Sequence, residues 1–403
     1  MKLKQYQKYK ESNVEWLGKV PEEWEVRKLK FIDSVIMGQS PDSEDYNYEC
    51  TGLPFLQGNA EFTDLNPKPV VWCEKVRKIA IENDILISVR APIGAINIAD
   101  RTYGIGRGLC AIRCKKSLYR FMFYQLLVRG QDLNSIGTGS TYAAISTDDV
   151  NNIILLLPKK TEQTQIISFL DKKTTNMNQA IEKVEQLKCL LKERRLSLVG
   201  NAILDNKVPK IRLQFVVDNI TRPIPRKDKE VYSQLGLYNW ARGIFHKQPT
   251  NGEDLGDSSF YFVEEGDLII SGQFAWEGAI AIAGPKENGC VVSHRFPIVR
   301  GKEGKLYTKY LWAFLTSKLG HFILNESSVG SAGRNRPLNI NRLMKEKIPV
   351  PSLKIQEEII KIVEKEKKLN LLSKKFNKLL EEYKKSLIHN VVTGKVNVQG
   401  GDE

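Results

Sequence analysis

The sequence predicts an α+β fold: two α/β globular domains separated by two long antiparallel coiled-coil helices, the halves related by an internal duplication of pseudo-twofold character. Three observations predict it. Short apolar motifs recur in the two halves, each set of motifs gives way to a seven-residue apolar period, and the segments leading into the halves match. The boundaries these features set are 1–158 for an N-terminal arm and first globular domain, 159–205 for a central helix, 206–351 for a second globular domain, and 352–403 for a C-terminal helix and tail.

The duplication is read first, because a missed repeat misassigns a whole fold. Asn83-Asp84-Ile85-Leu86-Ile87-Ser88 recurs as Gly266-Asp267-Leu268-Ile269-Ile270-Ser271, and Gly94-Ala95-Ile96-Asn97-Ile98-Ala99 as Gly278-Ala279-Ile280-Ala281-Ile282-Ala283. Apolar stretches this short, bounded by Gly and Asp, read as strands and tight turns. Aromatic-rich helix candidates follow at Tyr119 to Leu127 and Tyr307 to Leu315. Each half then reaches a Gly-Ser loop, Gly137-Thr138-Gly139-Ser140 or Gly330-Ser331-Ala332-Gly333, and a punctuating Pro158 or Pro351. The openings also correspond, Lys19-Val20-Pro21 with Lys207-Val208-Pro209.

Beyond each proline the period changes. Leu170, Met177, Val184, Leu191 and Leu198 stand seven apart in charged sequence, as do Ile355, Ile362, Leu369, Phe376 and Tyr383. That spacing argues for two long helices with a coiled-coil seam rather than helices wrapped in a globular core. The Lys and Glu residues around the seam read as a solvated face. Packed antiparallel, the helices would carry a globular domain near each end, which suits a ligand in two parts.

Composition narrows the partner. With 403 residues and 41% hydrophobic content the chain can build more than one core. Lys and Arg outnumber Asp and Glu by 61 to 47, a net +14 that would draw in a polyanion. The N-terminus has no apolar signal stretch, and the longest aliphatic run, Ile153 to Leu157, is far too short to cross a bilayer, so a cytoplasmic protein with no membrane association is expected. Cys50, Cys73, Cys110, Cys114, Cys189 and Cys290 lack the paired spacing of a zinc site and read as reduced, mostly buried thiols.

Catalytic constellations are missing. Every Gly-Lys pair, ending at Lys19, Lys302, Lys305 or Lys395, is followed by Val, Glu or Leu, so there is no phosphate-binding P-loop. No Pro-Pro occurs, which excludes the Asn/Asp-Pro-Pro-aromatic motif of adenine methyltransferases. Gly104-Ile105-Gly106-Arg107-Gly108, with no acidic partner downstream, reads as a turn, and Pro41-Asp42-Ser43-Glu44-Asp45 as an acidic loop. His246, His294, His321 and His389 lack metal or general-base spacing. No catalytic or metal residue is assigned to this chain.

The stretch Tyr9-Lys10-Glu11-Ser12-Asn13-Val14-Glu15-Trp16-Leu17-Gly18-Lys19-Val20-Pro21-Glu22-Glu23-Trp24 resembles the opening of the specificity subunits of type I restriction-modification systems. Leu157-Pro158-Lys159-Lys160-Thr161-Glu162-Gln163-Thr164-Gln165-Ile166 looks like the start of that family's conserved helix, and Pro351-Ser352-Leu353-Lys354-Ile355-Gln356-Glu357-Glu358-Ile359 like its second copy. Val392-Thr393-Gly394-Lys395-Val396-Asn397-Val398 is similar to the family's C-terminal ending. Lys159 replaces a proline and Ile355 a glutamate of the family pattern, which bears on local capping rather than architecture. The resemblance implies a target-recognition domain in each half, reading one part of a bipartite double-stranded DNA site, with the helices as spacer and docking surface. It implies two methyltransferase subunits, which bring S-adenosylmethionine, and two motor-nuclease restriction subunits, which bring ATP and Mg; no cofactor falls to this chain.

Donors on loops that can approach a duplex are then the candidate DNA contacts. In the first domain these are Gln39, Ser40, Gln57, Asn59, Arg90, Arg107 and Thr138 to Tyr142, with Thr138, Ser140 and Tyr142 foremost. In the second they are Trp240, Arg242, Gln273, Ser293, His294, Arg295, Arg334, Asn335 and Arg336. Gly333-Arg334-Asn335-Arg336 is the strongest, because two guanidiniums flank an amide beside glycines. The rival is a two-domain coiled-coil adaptor that binds protein, its basic charge serving solubility alone.

Overall fold

The computed structural model describes residues 4–136, 144–330 and 336–398. The chain divides into two compact units, 1–181 with 376–403, and 182–375, so each long helix gives one stretch to each unit.

The first unit is built on a four-stranded antiparallel sheet in the order Ile96–Ile98, Ile85–Ser88, Leu109–Arg113, Ser34–Met37. Ile85–Ser88 is buried at every position, which is why it reads as an unbroken apolar run rather than an alternation. Its side chains still alternate. Ile85 and Ile87 join a core with Phe121, Met122 and Leu126 of the helix Tyr119–Ile136, while Leu86 joins Leu56, Tyr103, Ile105 and Ala111 on the other face. That second face is covered by a five-stranded sheet containing Leu53–Leu56, Val71–Cys73 and Tyr103–Ile105.

The opening and closing motifs of the chain meet in this unit. Trp24 is 1% exposed and sits edge-on to Tyr6 and Phe121, at 5.7 and 6.4 Å. Gly394 has a φ of 72°, and a Cβ there would collide with the ring of Pro21, so both its conformation and its packing require glycine. The guanidinium of Arg129 lies 3.8 Å from the ring centre of Trp16.

The second unit repeats the sheet in the same order: Ile280–Ile282, Leu268–Ile270, Ile298–Gly301, Val217–Ile220. Leu268 and Ile270 face Tyr310, Leu311 and Phe314, and Ile269 faces Leu235, Val263 and Val292. The helix of 119–136 is here divided into Thr308–Leu315 and Lys318–Glu326, the break marked by Ser317, whose hydroxyl caps the second piece by accepting from Gly320 N. Each unit also has the same strand pair outside its main sheet, Glu25–Lys28 with Ile154–Leu157 and Lys210–Arg212 with Lys347–Pro349.

The central helix spans Lys160–Leu204 and the C-terminal helix Leu353–Val392. Within each unit they run antiparallel. In the first unit Ile166, Leu170 and Met177 share a core with Leu387, Val391 and Val392, and Lys384 reaches Asn178. In the second unit Val199 packs with Ile359 and Val363, and Arg195 pairs with Glu366 at 3.1 Å.

Along the central helix Leu170 and Met177 are buried and Val184, Leu191 and Leu198 half-buried, while Arg195, Val199 and Ala202 are the buried positions of its second half. The C-terminal helix departs from the expected seam along more of its length. Ile362 is buried and Leu369 half-buried, but Ile355, Phe376 and Tyr383 are 38%, 39% and 54% exposed. The buried face instead carries Gln356, Ile359, Val363, Ser373 and Leu387. Part of this face is polar, so choosing the phase by apolar content selects positions turned about 100° away. The polar members are satisfied, Gln356 by Lys305 O and Pro351 O and Ser373 by Asn370 O.

Gln163 and Gln356 also answer the question of capping. Gln163, 1% exposed, accepts from Leu118 N at 2.8 Å and donates to Pro158 O at 2.9 Å. Gln356, fully buried, accepts from Tyr307 N at 2.9 Å and donates to Pro351 O at 2.9 Å. Each amide ties the start of a long helix to the segment before its unit's sheet-covering helix, so Lys159 and Ile355 leave the anchoring unchanged.

Among the thiols, Cys73, Cys110 and Cys290 are buried and Cys114 half-buried, whereas Cys50 and Cys189 are exposed, against the expectation of mostly buried. Gly104 lies inside the strand Tyr103–Ile105 rather than in a turn; the turn is confined to 106–108. Among the described residues no helix is long and apolar enough to cross a membrane, and no cluster of metal-ligating side chains occurs.

Candidate nucleic-acid interface

In the first unit three sequence-distant loops close against one another at the end of the sheet. Gln39 N donates to Ile105 O at 2.9 Å, and Gly108 N to Gln57 O at 3.2 Å. Ser40 Oγ accepts from Arg107 N at 3.2 Å and from Gln57 Nε2 at 3.0 Å, while Tyr46 donates to Gln57 Oε1 at 3.2 Å. The approach needs glycines: a Cβ on Gly38 would strike Gly106 O, and one on Gly108 would lie 2.5 Å from Gln57 O. The loop carrying Arg90 joins them, because Val89 N donates to Gly108 O at 2.9 Å.

Gln39, Ser40, Gln57, Arg90 and Arg107 are thereby brought together, with Gln39, Gln57, Arg90 and Arg107 exposed; Asn59 is half-buried two residues further along. The acidic loop beside them is neutralised locally, Asp45 by Lys75 at 3.0 Å and Asp42 by Arg77 at 3.7 Å. Thr138, Ser140 and Tyr142 lie outside the described residues. The chain resumes beside the cluster, Ile145 N bonding Val89 O at 3.0 Å.

The second unit repeats two backbone bonds of this framework. Gly272 N donates to Arg295 O at 2.6 Å, as Val89 N does to Gly108 O, and Leu338 N donates to Gly272 O at 2.7 Å, as Ile145 N does to Val89 O. Gln273, His294 and Arg295 are exposed at this edge and Ser293 half-buried beside them; Arg336 stands two residues before Leu338. Arg334 and Asn335 lie outside the described residues. Trp240 and Arg242 stand apart from the cluster, at the other end of the 272–278 turn, where Trp240 N bonds Glu277 O at 2.9 Å. Arg242 is turned back on its own loop, bonding Asn239 O at 3.0 Å and lying over the ring of Tyr238.

A buried carboxylate holds each sheet at the end away from these loops. Asp84 takes Ile81 N and both arms of Arg113. Asp267 takes Glu264 N, Arg300 at 2.5 Å and Arg222 at 2.8 Å. The bidentate geometry fixes the strand ends against one another. In the first unit Asp171 of the central helix binds Arg120 and Tyr124, each at 2.5 Å; burial, then this hydrogen bond, push the Tyr124 phenol well above its usual range and keep it a donor.

Motif and spacing did not single out several side chains at these edges. Trp276 lies under Arg336, 5.7 Å from guanidinium to ring centre, and His321 stacks on Trp240. Asn97, fully buried, holds the long loop after Leu56 by bonding Thr63 N and Thr63 O. Asn97 had a visible signal, since it is the one strand position at which Ile96-Asn97-Ile98 and Ile280-Ala281-Ile282 differ.

Comparison with known proteins agrees with this architecture. The family model for the type I restriction modification DNA specificity domain matches twice, at residues 21–186 and 210–382. A putative type I restriction enzyme MjaX specificity subunit of Methanocaldococcus jannaschii is 41% identical over 171 residues, covering 41% of this chain and 39% of the relative. The type I restriction enzyme MjaIX specificity subunit of the same organism is 24% identical over 233 residues, covering 54% of this chain and 52% of the relative. The alignments therefore take in about half or less of these curated relatives. The crystal structure of a type I restriction-modification S subunit from M. genitalium has the same fold, with a TM-score of 0.50 and 16% identity over 92% of this chain and 96% of that one. With both halves matched by one family model and the same sheet repeated beneath them, the chain belongs to the family of type I restriction-modification DNA specificity subunits.

Proposed function

We propose that this chain binds a bipartite double-stranded DNA site, each unit reading one half through the loops at the end of its four-stranded sheet. The observation that carries this is the repeated edge: the same backbone bonds present Arg90 and Arg107 in one unit and Gln273, His294 and Arg295 in the other. A shared frame with different donors is what two half-sites of different sequence call for. The net charge of +14 supports phosphate contact.

The helices serve as spacer and as docking surface for two methyltransferase subunits. Phe376, Leu379 and Tyr383, spaced three and four apart, leave an apolar stripe open on the C-terminal helix, 39%, 54% and 54% exposed, which supports docking of another subunit. S-adenosylmethionine belongs to those partners, and ATP and Mg to two motor-nuclease subunits that complete the restriction complex.

Mapping methylated adenines in DNA treated with the complex tests this in three arms. Exchanging residues 209–350 for the corresponding segment of another family member changes one half of the methylated site and leaves the other intact; changes in both halves defeat the modular reading. Four residues inserted after Val184, just over one turn at about 1.5 Å each, lengthen the unread gap by one or two base pairs, since each pair advances about 3.4 Å. Leu379→Asp abolishes methylation while leaving duplex binding by the chain unchanged; full activity removes the stripe from the docking surface.

A further inference from the structure

The second unit holds an aromatic recess that the edge loops do not account for. The loop 238–243 fixes Trp240 at a φ of 60°, through Trp240 N to Glu277 O at 2.9 Å and Ala241 N to Gly278 O at 2.8 Å. That conformation is uncommon for a bulky residue, so the tertiary bonds impose it. The indole remains 69% exposed and lies parallel to the imidazole of His321, with ring centres 5.6 Å apart and planes within 4°. Trp276, Phe322, Lys318 and Arg336 line the same recess.

Two polar atoms there are buried and meet no hydrogen-bond partner among the described residues: Trp276 Nε1 and His321 Nε2. Unpaired polar atoms in a concave site favour an occupant that brings hydrogen-bonding groups, and the indole Trp276 Nε1 calls for an acceptor. A flat ring with oxygen or nitrogen acceptors on its edge, carried on an anionic chain, fits the exposed indole, the unpaired Trp276 N–H and the two cations together. The recess also adjoins the DNA edge, through the short segment from Arg336 to Leu338, whose amide bonds Gly272 O. The first unit is closed at the matching place, where a Cβ on Gly94 would strike Gly130 O; around Gly278 the nearest atoms belong to His321 and Trp240 and lie 3.6 Å from a Cβ.

We propose that this recess receives a single nucleobase turned out of the duplex, stacked on Trp240, with its edge acceptors on Trp276 Nε1 and its phosphates near Lys318 and Arg336. The inference rests on the DNA-binding function proposed above and adds to it a site that takes one base out of the stack. An unpaired base carries little of the cost of leaving the helix, so it is the simplest probe.

The test compares a duplex carrying one unpaired 2-aminopurine with the same duplex fully paired, using the full chain at several salt concentrations. The bulged duplex binds on the order of tenfold more tightly, as stacking of one base on an aromatic side chain provides, and the 2-aminopurine fluorescence is quenched. Trp240→Ala, at an exposed position and so without effect on melting temperature, removes both the preference and the quenching; Trp240→Phe keeps the preference. Equal affinity for the two duplexes, or a preference that survives Trp240→Ala, overturns the recess as a base site while salt-dependent duplex binding stands. Failure to bind any duplex overturns the DNA-binding function, and the recess with it.

Discussion

The two units share a sheet order and edge bonds, yet the hairpin loop over that sheet takes opposite courses in them. In the first unit residues 57–70 run along the edge strand, held by Asn97 to Thr63 and by Asn66 Nδ2 to Ile98 O at 2.9 Å. In the second unit Ala281 occupies the position of Asn97 and has no side-chain donor to offer, and the short loop 238–243 turns instead onto Glu277 and Gly278. One buried amide thus separates a loop stretched along the sheet from one that presents an exposed indole. The sheet decides where loops leave, and a few buried polar groups decide where they go.

The carboxylates under the sheets give the sharpest way to break the equivalence. Asp267 is held by two guanidiniums and Asp84 by one. Replacing a buried carboxylate strands its partners, so Asp267→Asn should lower unfolding stability by about 3 kcal/mol. Asp84→Asn, which strands only Arg113, should cost about 2 kcal/mol. Urea unfolding of the two variants beside the parent chain measures both. Equal losses would show that Arg222 contributes nothing to the second unit and that the carboxylates are interchangeable.

Much of this was legible in the sequence, for identifiable reasons. The paired motifs around Ile85 and Leu268 gave both sheets, because strands buried on two faces leave continuous apolar runs that survive duplication. The loops bearing Gln39, Gln57, Arg90 and Arg107 were found from glycines and donors, and the glycines are what let those backbones touch. The phase of the C-terminal helix was not legible: Gln356, Glu366 and Ser373 occupy its inner face because Lys305, Pro351, Arg195 and Asn370 satisfy them, and such partners are remote in sequence or hidden in the backbone. The Trp240 recess was hidden for a related reason. Trp240, Trp276 and His321 come from three separate segments, and no spacing rule links them.

The mildest test concerns the arginines at matching turns. Arg107 lies between the strands Tyr103–Ile105 and Leu109–Arg113, and Arg295 between Val291–Ser293 and Ile298–Gly301. Arg107 is flanked by glycines whose backbones already pack against Gln57, so its guanidinium can approach a groove with little steric cost. Arg295 lies between His294 and Phe296, and its carbonyl is engaged by Gly272. If each reads a base edge, Arg107→Ala and Arg295→Ala should each weaken binding by about 1–3 kcal/mol and relax methylation in one half-site only. If either meets phosphate, its removal should weaken all sequences alike and reduce the slope of log affinity against log salt by about one. Salt titrations of both variants therefore ask whether matching turns do equivalent work. A base-specific loss at Arg107 with a phosphate-like loss at Arg295 would mean that the duplicated frame has kept its geometry while the two units divide reading and gripping differently between their turns.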